Sequence, residues 1–136
     1  MNKKRVEKLI QPAMDALNDP NCKIQNRDSA GNFNGEIASG FRGQISSFGA
    51  AVTMGSFKAA AAFFAKDKDK SQADVNRDEL LRVMYRISSF GGTWKDAKDI
   101  AHEIFDLDDS AERLWKEEFI NASIALKLAL NAFKLI

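Results

Sequence analysis

The sequence contains very few of the residue types that build most catalytic and metal sites. Among its 136 residues there is one histidine, His102, and one cysteine, Cys22. A single histidine leaves few ways to build a catalytic triad or a zinc site. One cysteine forms no disulfide within the chain, which is typical of a protein that folds in the reducing cytoplasm. The composition therefore predicts a cytoplasmic protein without enzymatic activity, and it implies no cofactor.

These two rare side chains also lack the neighbours that catalysis requires. His102 falls among charged residues on the polar face of a predicted helix, which indicates an ordinary surface histidine. Cys22 lies in a polar segment with no histidine nearby in the sequence, so we interpret it as an incidental thiol. The acidic group between 106 and 112 lacks the glycine and the ligand spacing of a calcium loop, and helix capping explains it more simply. We predict no catalytic residue and no metal site.

The sequence predicts neither a leader peptide nor a membrane span. Its basic first residues are followed by charged and polar side chains instead of an apolar core, which argues against secretion. Residues 119–136 are mostly apolar, but a membrane helix needs about 20 apolar residues without a central charge. Polar side chains recur in this segment at helical spacing and predict a mostly buried helix without membrane contact: Ser123, Lys127, Asn131 and Lys134.

The formal net charge of +1 hides an asymmetry along the chain. Residues 1–92 carry 14 Lys and Arg against 10 Asp and Glu, whereas residues 93–136 carry 6 against 9. So weak a bias excludes a polybasic tail for nucleic acid, but a local basic face can still contact phosphates. Any contact with a charged partner is therefore expected to be local.

Apolar residues recur at helical spacing along most of the chain, which predicts an all-α protein. The first helix covers 2–18 and is expected to kink or to begin at Pro12, because proline lacks the backbone donor. Residues 20–34 are rich in Asn, Asp, Ser and Gly and predict a loop. The alternating charges of 66–71 predict a solvated turn.

Five further helices complete a compact single domain, 1–136, of about five to six helices. One begins near Gly35 and one covers 57–65, and a third has its apolar positions between 80 and 87. Two possible capping boxes, Thr93 with Asp96 and Asp109 with Glu112, predict the starts of the others. The last helix is expected to run to residue 136.

The helix that begins near Gly35 has two contrasting faces. Large apolar side chains step along one face at intervals of three and four: Ile37, Phe41, Ile45, Phe48 and Val52. The other faces carry almost only small residues, and four glycines lie between 35 and 49. Glycine inside a helix costs about 1 kcal/mol relative to alanine, so these positions need a close approach of some other group. Close packing of a helix of the same chain is the simpler explanation, and the backbone of a bound ligand is the other.

Part of this region resembles a known family. Residues 41–64, FRGQISSFGAAVTMGSFKAAAAFF, resemble the signature helix pair of the small helical subunit of type III-B CRISPR (Cmr) effector complexes. Residues 4–10, followed by Ala13 and Leu17, are similar to the first helix of that family. The sequence departs from the family pattern after Gly55, where a leucine and often a proline are expected. The small subunit of type III-A CRISPR complexes is the neighbouring family.

This resemblance implies a non-catalytic subunit for antiviral defence. Several copies would stack along an RNA-guided ribonucleoprotein filament, bind its other subunits, and touch the backbones of guide RNA and target RNA. Contacts to phosphates position a nucleic acid without reading its bases. By their positions in the matching block, Arg42 and then Lys58 are the first candidates for RNA binding. The remaining candidates are Lys4 and Lys8, which share an exposed face, and Arg82 and Arg86, an i,i+4 pair expected on the outside of a helix.

Two other functions stay open at this point. A helical adaptor would bind only proteins, through its Phe-rich and Gly/Ala faces, without direct contact to RNA. A small helical enzyme would have to depend on His102 and is the least favoured of the three.

Overall fold

The computed structural model of the protein describes residues 1–66 and 77–136, which form six α-helices and a small three-stranded sheet. The predicted turn at 66–71 lies outside the described residues, except for Lys66. The prediction of a largely all-α single domain is confirmed. In chain order the elements are α1 (Lys3–Asn18), β1 (Gln25–Arg27), β2 (Phe33–Ile37), α2 (Gly40–Met54), α3 (Phe57–Phe64), α4 (Arg77–Ile87), α5 (Ala97–Phe105), α6 (Asp109–Ala129), a 3-10 turn (Leu130–Ala132) and β3 (Lys134–Leu135).

Helix α1 is continuous from Lys3 to Asn18 with Pro12 inside it, so it does not begin at the proline. The side chain of Asn2 caps its first turn by accepting a hydrogen bond from the backbone N–H of Arg5. Pro12 removes only the bond to the carbonyl of Lys8, which is an exposed residue. Water can solvate that carbonyl, which is why the helix tolerates the proline.

The predicted loop at 20–34 is wrong in part, because it contains β1 and the start of β2. These two strands pair antiparallel, and β3 joins β2 in parallel register, with Ile37 opposite Leu135. The buried side chain of Gln25 fastens the hairpin to the end of α1. Its amide nitrogen donates to the carbonyl of Leu17 at 2.6 Å and to that of Asp19 at 2.8 Å. Strands this short carry no alternation of polar and apolar residues that would reveal them.

Three helix ends also differ from their predicted positions. The chain is extended through Ile37, so α2 begins at Gly40 and not near Gly35. Helix α6 ends at Ala129, because the residues after it turn back to pair with β2. The cap of α6 is Asp108, whose carboxylate accepts from the N–H of Ala111 at 2.8 Å. The capping box at Thr93 and Asp96 does not form, since Asp96 precedes α5 without a side-chain hydrogen bond.

Helix α6 lies at the centre of the fold and packs against α1, α2 and α4. Phenylalanines fill the space around it. The rings of Phe57 and Phe119 meet edge to face with centroids 5.3 Å apart, and those of Phe48 and Phe64 do so at 5.2 Å. The predicted apolar stripe of α2 is confirmed as buried from Phe41 to Val52. Because that stripe turns inward, the small residues of α2 face outward.

Candidate nucleic-acid interface

The outward face of α2 carries one long charged side chain among small residues. Arg42 is the only charged residue in this helix, and it is exposed. No carboxylate within the helix opposes it. From Arg42 to Thr53 the other exposed residues of the helix all have short side chains: Gly43, Ser46, Ser47, Ala50 and Thr53.

Two glycines inside α2 have no packing reason within the described part of the chain. Apart from its chain neighbours and the nearby backbone of α2, a Cβ atom added to Gly43 or to Gly49 would meet no atom within 4 Å among residues 1–66 and 77–136. The simpler explanation of the glycine-rich face, close packing of a helix of the same chain, therefore finds no support at these positions. Gly35 belongs to β2 with a φ of +79°, a value that favours glycine, so it was never part of the helix.

A lysine from α6 reaches across to the same face. The Nζ atom of Lys127 donates a hydrogen bond to Oγ of Ser46 at 2.6 Å. Together the two helices enclose a shallow groove of about 290 Å³ with Ile45, Gly49 and Ile124 in its lining. The groove thus has an apolar floor and an ammonium group at its edge.

The hydroxyl groups of this face are satisfied by the helix itself. Ser47 donates to the carbonyl of Gly43 at 3.1 Å, and Thr53 donates to that of Gly49 at 2.9 Å. Such bonds hold the side chains down against the helix. The surface is therefore a low ridge with Arg42 and Lys127 as its cations, and contacts from these groups to phosphates would position a nucleic acid without reading its bases.

Lys4 and Lys8 are both exposed on α1, as their shared face predicts. They lie on a different helix from Arg42, and α1 packs against α6 and α4. Arg5, between them in the sequence, is held by Glu118. Lys4 and Lys8 are therefore accessible to solvent, but they lie on a different surface from Arg42.

Lys58 has a contact within the fold. Its Nζ atom donates to the backbone carbonyl of Leu107 at 3.0 Å, which links the start of α3 to the connection between α5 and α6. The side chain is half-buried. This contact gives Lys58 a structural role that its position in the sequence did not indicate.

Arg82 does not lie on the outside of its helix as expected. Only 12% of its side chain is exposed, and its Nη1 atom lies 2.7 Å from Oε2 of buried Glu79. Its Nε atom donates to the carbonyl of Lys95 at 3.1 Å, and its guanidinium lies 5.2 Å from the ring centroid of Trp94. These contacts use most of the hydrogen-bond donors of Arg82, because the side of α4 that carries Arg82 packs against the segment before α5.

Arg86 is half-buried and stands near Asp19. The backbone N–H of Asn21 lowers the pKa of Asp19, and the charge of Arg86 lowers it further. Of the six basic residues predicted from the sequence, Arg42, Lys4 and Lys8 are exposed, whereas Lys58, Arg82 and Arg86 have contacts or charged neighbours within the fold.

Sequence reasoning missed Lys127 as a member of this face. The residue belongs to the polar stripe of the last helix, and that stripe was the available signal. Its pairing with Ser46 depends on how α6 packs against α2, which local spacing does not specify.

His102 is exposed, as predicted. Cys22, in contrast, is fully buried, and burial raises the pKa of its thiol to about 11. Across residues 1–66 and 77–136, no group of three or more His, Cys, Asp and Glu side chains is placed to hold a metal ion. Within the same ranges, no helix has the length and apolarity needed to cross a membrane.

Comparison of the chain with protein-family models, with curated proteins and with solved structures finds no match.

Proposed function

We propose that this protein is the non-catalytic small subunit of a type III CRISPR RNA-guided effector complex in the cytoplasm. In this role it stacks with copies of itself and with other subunits along the filament. It follows the backbone of guide or target RNA through the outward face of α2, and so contributes to antiviral defence.

The observation that carries this proposal is the open space above Gly43 and Gly49. Gly43 is exposed and Gly49 is partly exposed, and alanine at either position would touch no described atom beyond its chain neighbours and the nearby backbone of α2. Glycine at such positions allows another backbone to approach the helix closely. Arg42 lies on the same helix face and suits a phosphate backbone in particular.

The sequence resemblance supports the same proposal. The matching block, 41–64, corresponds to α2 and α3, which are consecutive helices joined at Gly55 and Ser56. The N-terminal match falls within α1. Each similar segment thus corresponds to a whole element of the fold or to part of one.

The test is the salt dependence of RNA binding by the assembled complex. The tagged chain is co-expressed with the proteins encoded beside its gene and with a guide RNA, and affinity for target RNA is measured between 50 and 300 mM salt. Arg42→Gln should flatten the plot of log affinity against log salt by about one unit, since one phosphate contact is lost. Arg113→Gln, which removes an exposed arginine of α6, is the matched control and should leave the slope unchanged.

Two failures can be told apart in this experiment. If the chain captures neither RNA nor the products of neighbouring genes, the proposed membership of an effector complex is wrong. If the complex forms but Arg42→Gln and Arg113→Gln behave alike, membership stands and the RNA contact of α2 is refuted.

One observation favours an adaptor without RNA contact as the second candidate. The groove between α2 and α6 has an apolar floor, and Met54 at the end of α2 is 88% exposed. A protein partner would cover both. In that case the partner would remain bound after nuclease treatment, and Met54→Ser would release it while Arg42→Gln would not.

A further inference from the structure

Strand β2 contains Asn34, the only asparagine of the chain that is followed by glycine. Asparagine is a thermolabile residue, because the backbone nitrogen of the next residue can attack its side-chain carbonyl carbon. Glycine in the next position hinders this attack least, since it has no Cβ atom. Asn34 is exposed, so water reaches its side chain. The pair of Asn34 and Gly35 thus meets the sequence requirements for loss of the side-chain amide.

This pair lies in a bulge of the sheet. Two pairs of facing residues enclose the bulge: Gln25 with Ile37, and Arg27 with Phe33. Between them β1 contributes one residue and β2 contributes three, residues 34–36. A bulge disrupts the ladder of hydrogen bonds locally, and Gly35 departs from strand geometry with a φ of +79°. Asn34 and Gly35 are therefore restrained less than residues of a regular central strand.

The side chain of Asn34 is held next to the peptide group that follows it. Its Oδ1 atom accepts the backbone N–H of Glu36 at 3.0 Å, which closes an Asx turn. Its Nδ2 atom donates to Oε1 of Glu36 at 2.8 Å. The ring closed by the first bond contains both the side-chain carbonyl carbon of Asn34 and the backbone nitrogen of Gly35. The turn therefore brings the two reacting atoms into one small ring, and its hydrogen bond polarises the carbonyl that is attacked.

From this geometry we infer that Asn34 is a site of spontaneous deamidation in the native protein, with water as the only co-reactant. The backbone nitrogen of Gly35 forms a bond with the side-chain carbonyl carbon of Asn34. The bond from that carbon to Nδ2 breaks, and ammonia leaves with the proton of the Gly35 nitrogen. Water then opens the five-membered succinimide ring. Its addition to the side-chain carbonyl gives aspartate, and its addition to the main-chain carbonyl gives isoaspartate.

Both products weaken the contacts of β2 with β3. A carboxylate replaces the Nδ2 donor and faces the carboxylate of Glu36, so a hydrogen bond becomes a repulsion between like charges. The other oxygen of Glu36 lies 3.7 Å from Nζ of Lys134 in β3. Isoaspartate also adds a carbon atom to the backbone of β2, which disturbs the register of the residues that follow. Deamidation is therefore expected to loosen β3 from the sheet.

The reaction is tested by incubation of the full chain at 37 °C and digestion with trypsin. Cleavage after Arg27 and Arg42 gives a peptide that contains both Asn34 and Asn32, and mass spectrometry locates the deamidated residue. Asn34 should convert at least about ten-fold faster than Asn32, which precedes the bulky Phe33 and serves as an internal control. Conversion should be faster at pH 8 than at pH 6, because the attacking nitrogen must lose its proton. A protein isoaspartyl methyltransferase labels the isoaspartate product.

Hydrogen exchange measures the effect on the sheet. The backbone N–H of Ile136 donates to the carbonyl of Ile37 at 2.9 Å and reports on the attachment of β3. In the deamidated fraction, separated by its added charge, exchange at Ile136 should be at least about five-fold faster, as expected for the loss of one hydrogen bond of average strength. Asn32→Asp adds the same charge two residues away and should change this exchange less. Asn34→Gln keeps a neutral amide and should show no change after incubation.

Three results would overturn the inference. The first is an intact Asn34 in the native chain under conditions in which the chain unfolded in guanidinium deamidates there, because the fold would then protect the site. The second is equal conversion of Asn32 and Asn34, which would leave no role for the glycine and the Asx turn. The third is unchanged exchange at Ile136 in the deamidated fraction, which would refute the effect on β3. All measurements use the isolated protein, so they are independent of the role proposed for α2.

Discussion

Arg5 and Glu118 form a two-pronged ion pair between α1 and α6. The Nε and Nη2 atoms of Arg5 lie 2.9 Å and 2.6 Å from the two carboxylate oxygens of Glu118. The same carboxylate accepts the backbone N–H of Ser89, just after α4, at 2.8 Å. One side chain, only 7% exposed, thus joins three segments of the fold.

This arrangement predicts a specific loss of stability in acid. The hydrogen bond from Arg5 lowers the pKa of Glu118 to about 2, from 4.5 in an unperturbed glutamate. Between these two values the unfolded chain binds the proton more readily than the native protein does. The stabilisation is therefore complete above about pH 4.5 and is lost as the pH falls toward 2.

Urea unfolding between pH 7 and pH 2.5 measures this effect. Glu118→Gln should lower the free energy of unfolding at pH 7 by about 1–3 kcal/mol, because hydrogen bonds to a charged group are lost. The variant should also depend less on pH between 4.5 and 2.5. Glu117→Gln, a change at the exposed neighbour, is the control. Parallel pH profiles for Glu118→Gln and the parent protein would show that the ion pair does not have this role.

Arg82→Met should be among the most destabilising single changes on a basic residue. It leaves the carboxylate of Glu79, which is only 5% exposed, without its partner. Breaking one side of a buried pair costs about 3–5 kcal/mol. Urea unfolding of Arg82→Met and of the double variant with Glu79→Gln separates the causes, and the double variant should recover part of the loss. An Arg82→Met protein as stable as Arg113→Met would mean that the pair is dispensable.

Gly43→Ala should stabilise the isolated protein while it weakens assembly. The new methyl group meets no described atom beyond its chain neighbours and the nearby backbone of α2, and alanine restricts the unfolded chain, so the free energy of unfolding should rise by about 0.5–1 kcal/mol. If another backbone approaches this helix in the complex, the same methyl group obstructs it. Thermal unfolding and affinity capture by the partner subunits are measured side by side, with Ala59→Ser, a change at an exposed position of α3, as the control. A rise in both stability and capture would argue against close approach at Gly43.

Cys22 should react with thiol reagents only when the chain opens. Burial raises the pKa of its thiol from 9.0 to about 11, which lowers the thiolate fraction at pH 8 about a hundred-fold, and the side chain is inaccessible as well. Labelling at pH 8 in buffer and in 6 M guanidinium compares the two states. Comparable rates in both would place the thiol at the surface.

The sequence predicted those features of the fold that depend on spacing within one helix. Phe41, Ile45, Phe48 and Val52 recur every three or four residues, and such side chains can all be buried only on one helical face. The exposure of Arg42 follows from the same helical spacing, because Arg42 does not lie on the buried face. Local spacing was therefore enough to predict Arg42, which is one of the two cations of the candidate site.

The rest depends on contacts between distant residues. Lys127 meets Ser46, and Lys58 meets the carbonyl of Leu107, only after α6 and α5 have packed. The sheet is hidden for the same reason, since β3 has two residues and pairs with β2 across most of the chain. The pair of Glu79 and Arg82 is different: its i,i+3 spacing was visible, but the burial that makes it structural was not.

The parallel pairing of β2 with β3 has a consequence for synthesis of the protein. Residues 36–37 pair with residues 134–135, so β3, which covers the second edge of β2, leaves the ribosome only after the six helices of the described ranges. Until then β2 offers an uncovered strand edge, where a second nascent chain can pair. Chains that stall within α6 are therefore expected to associate through β2, and chaperones that shield strand edges should bind them at this stage of translation.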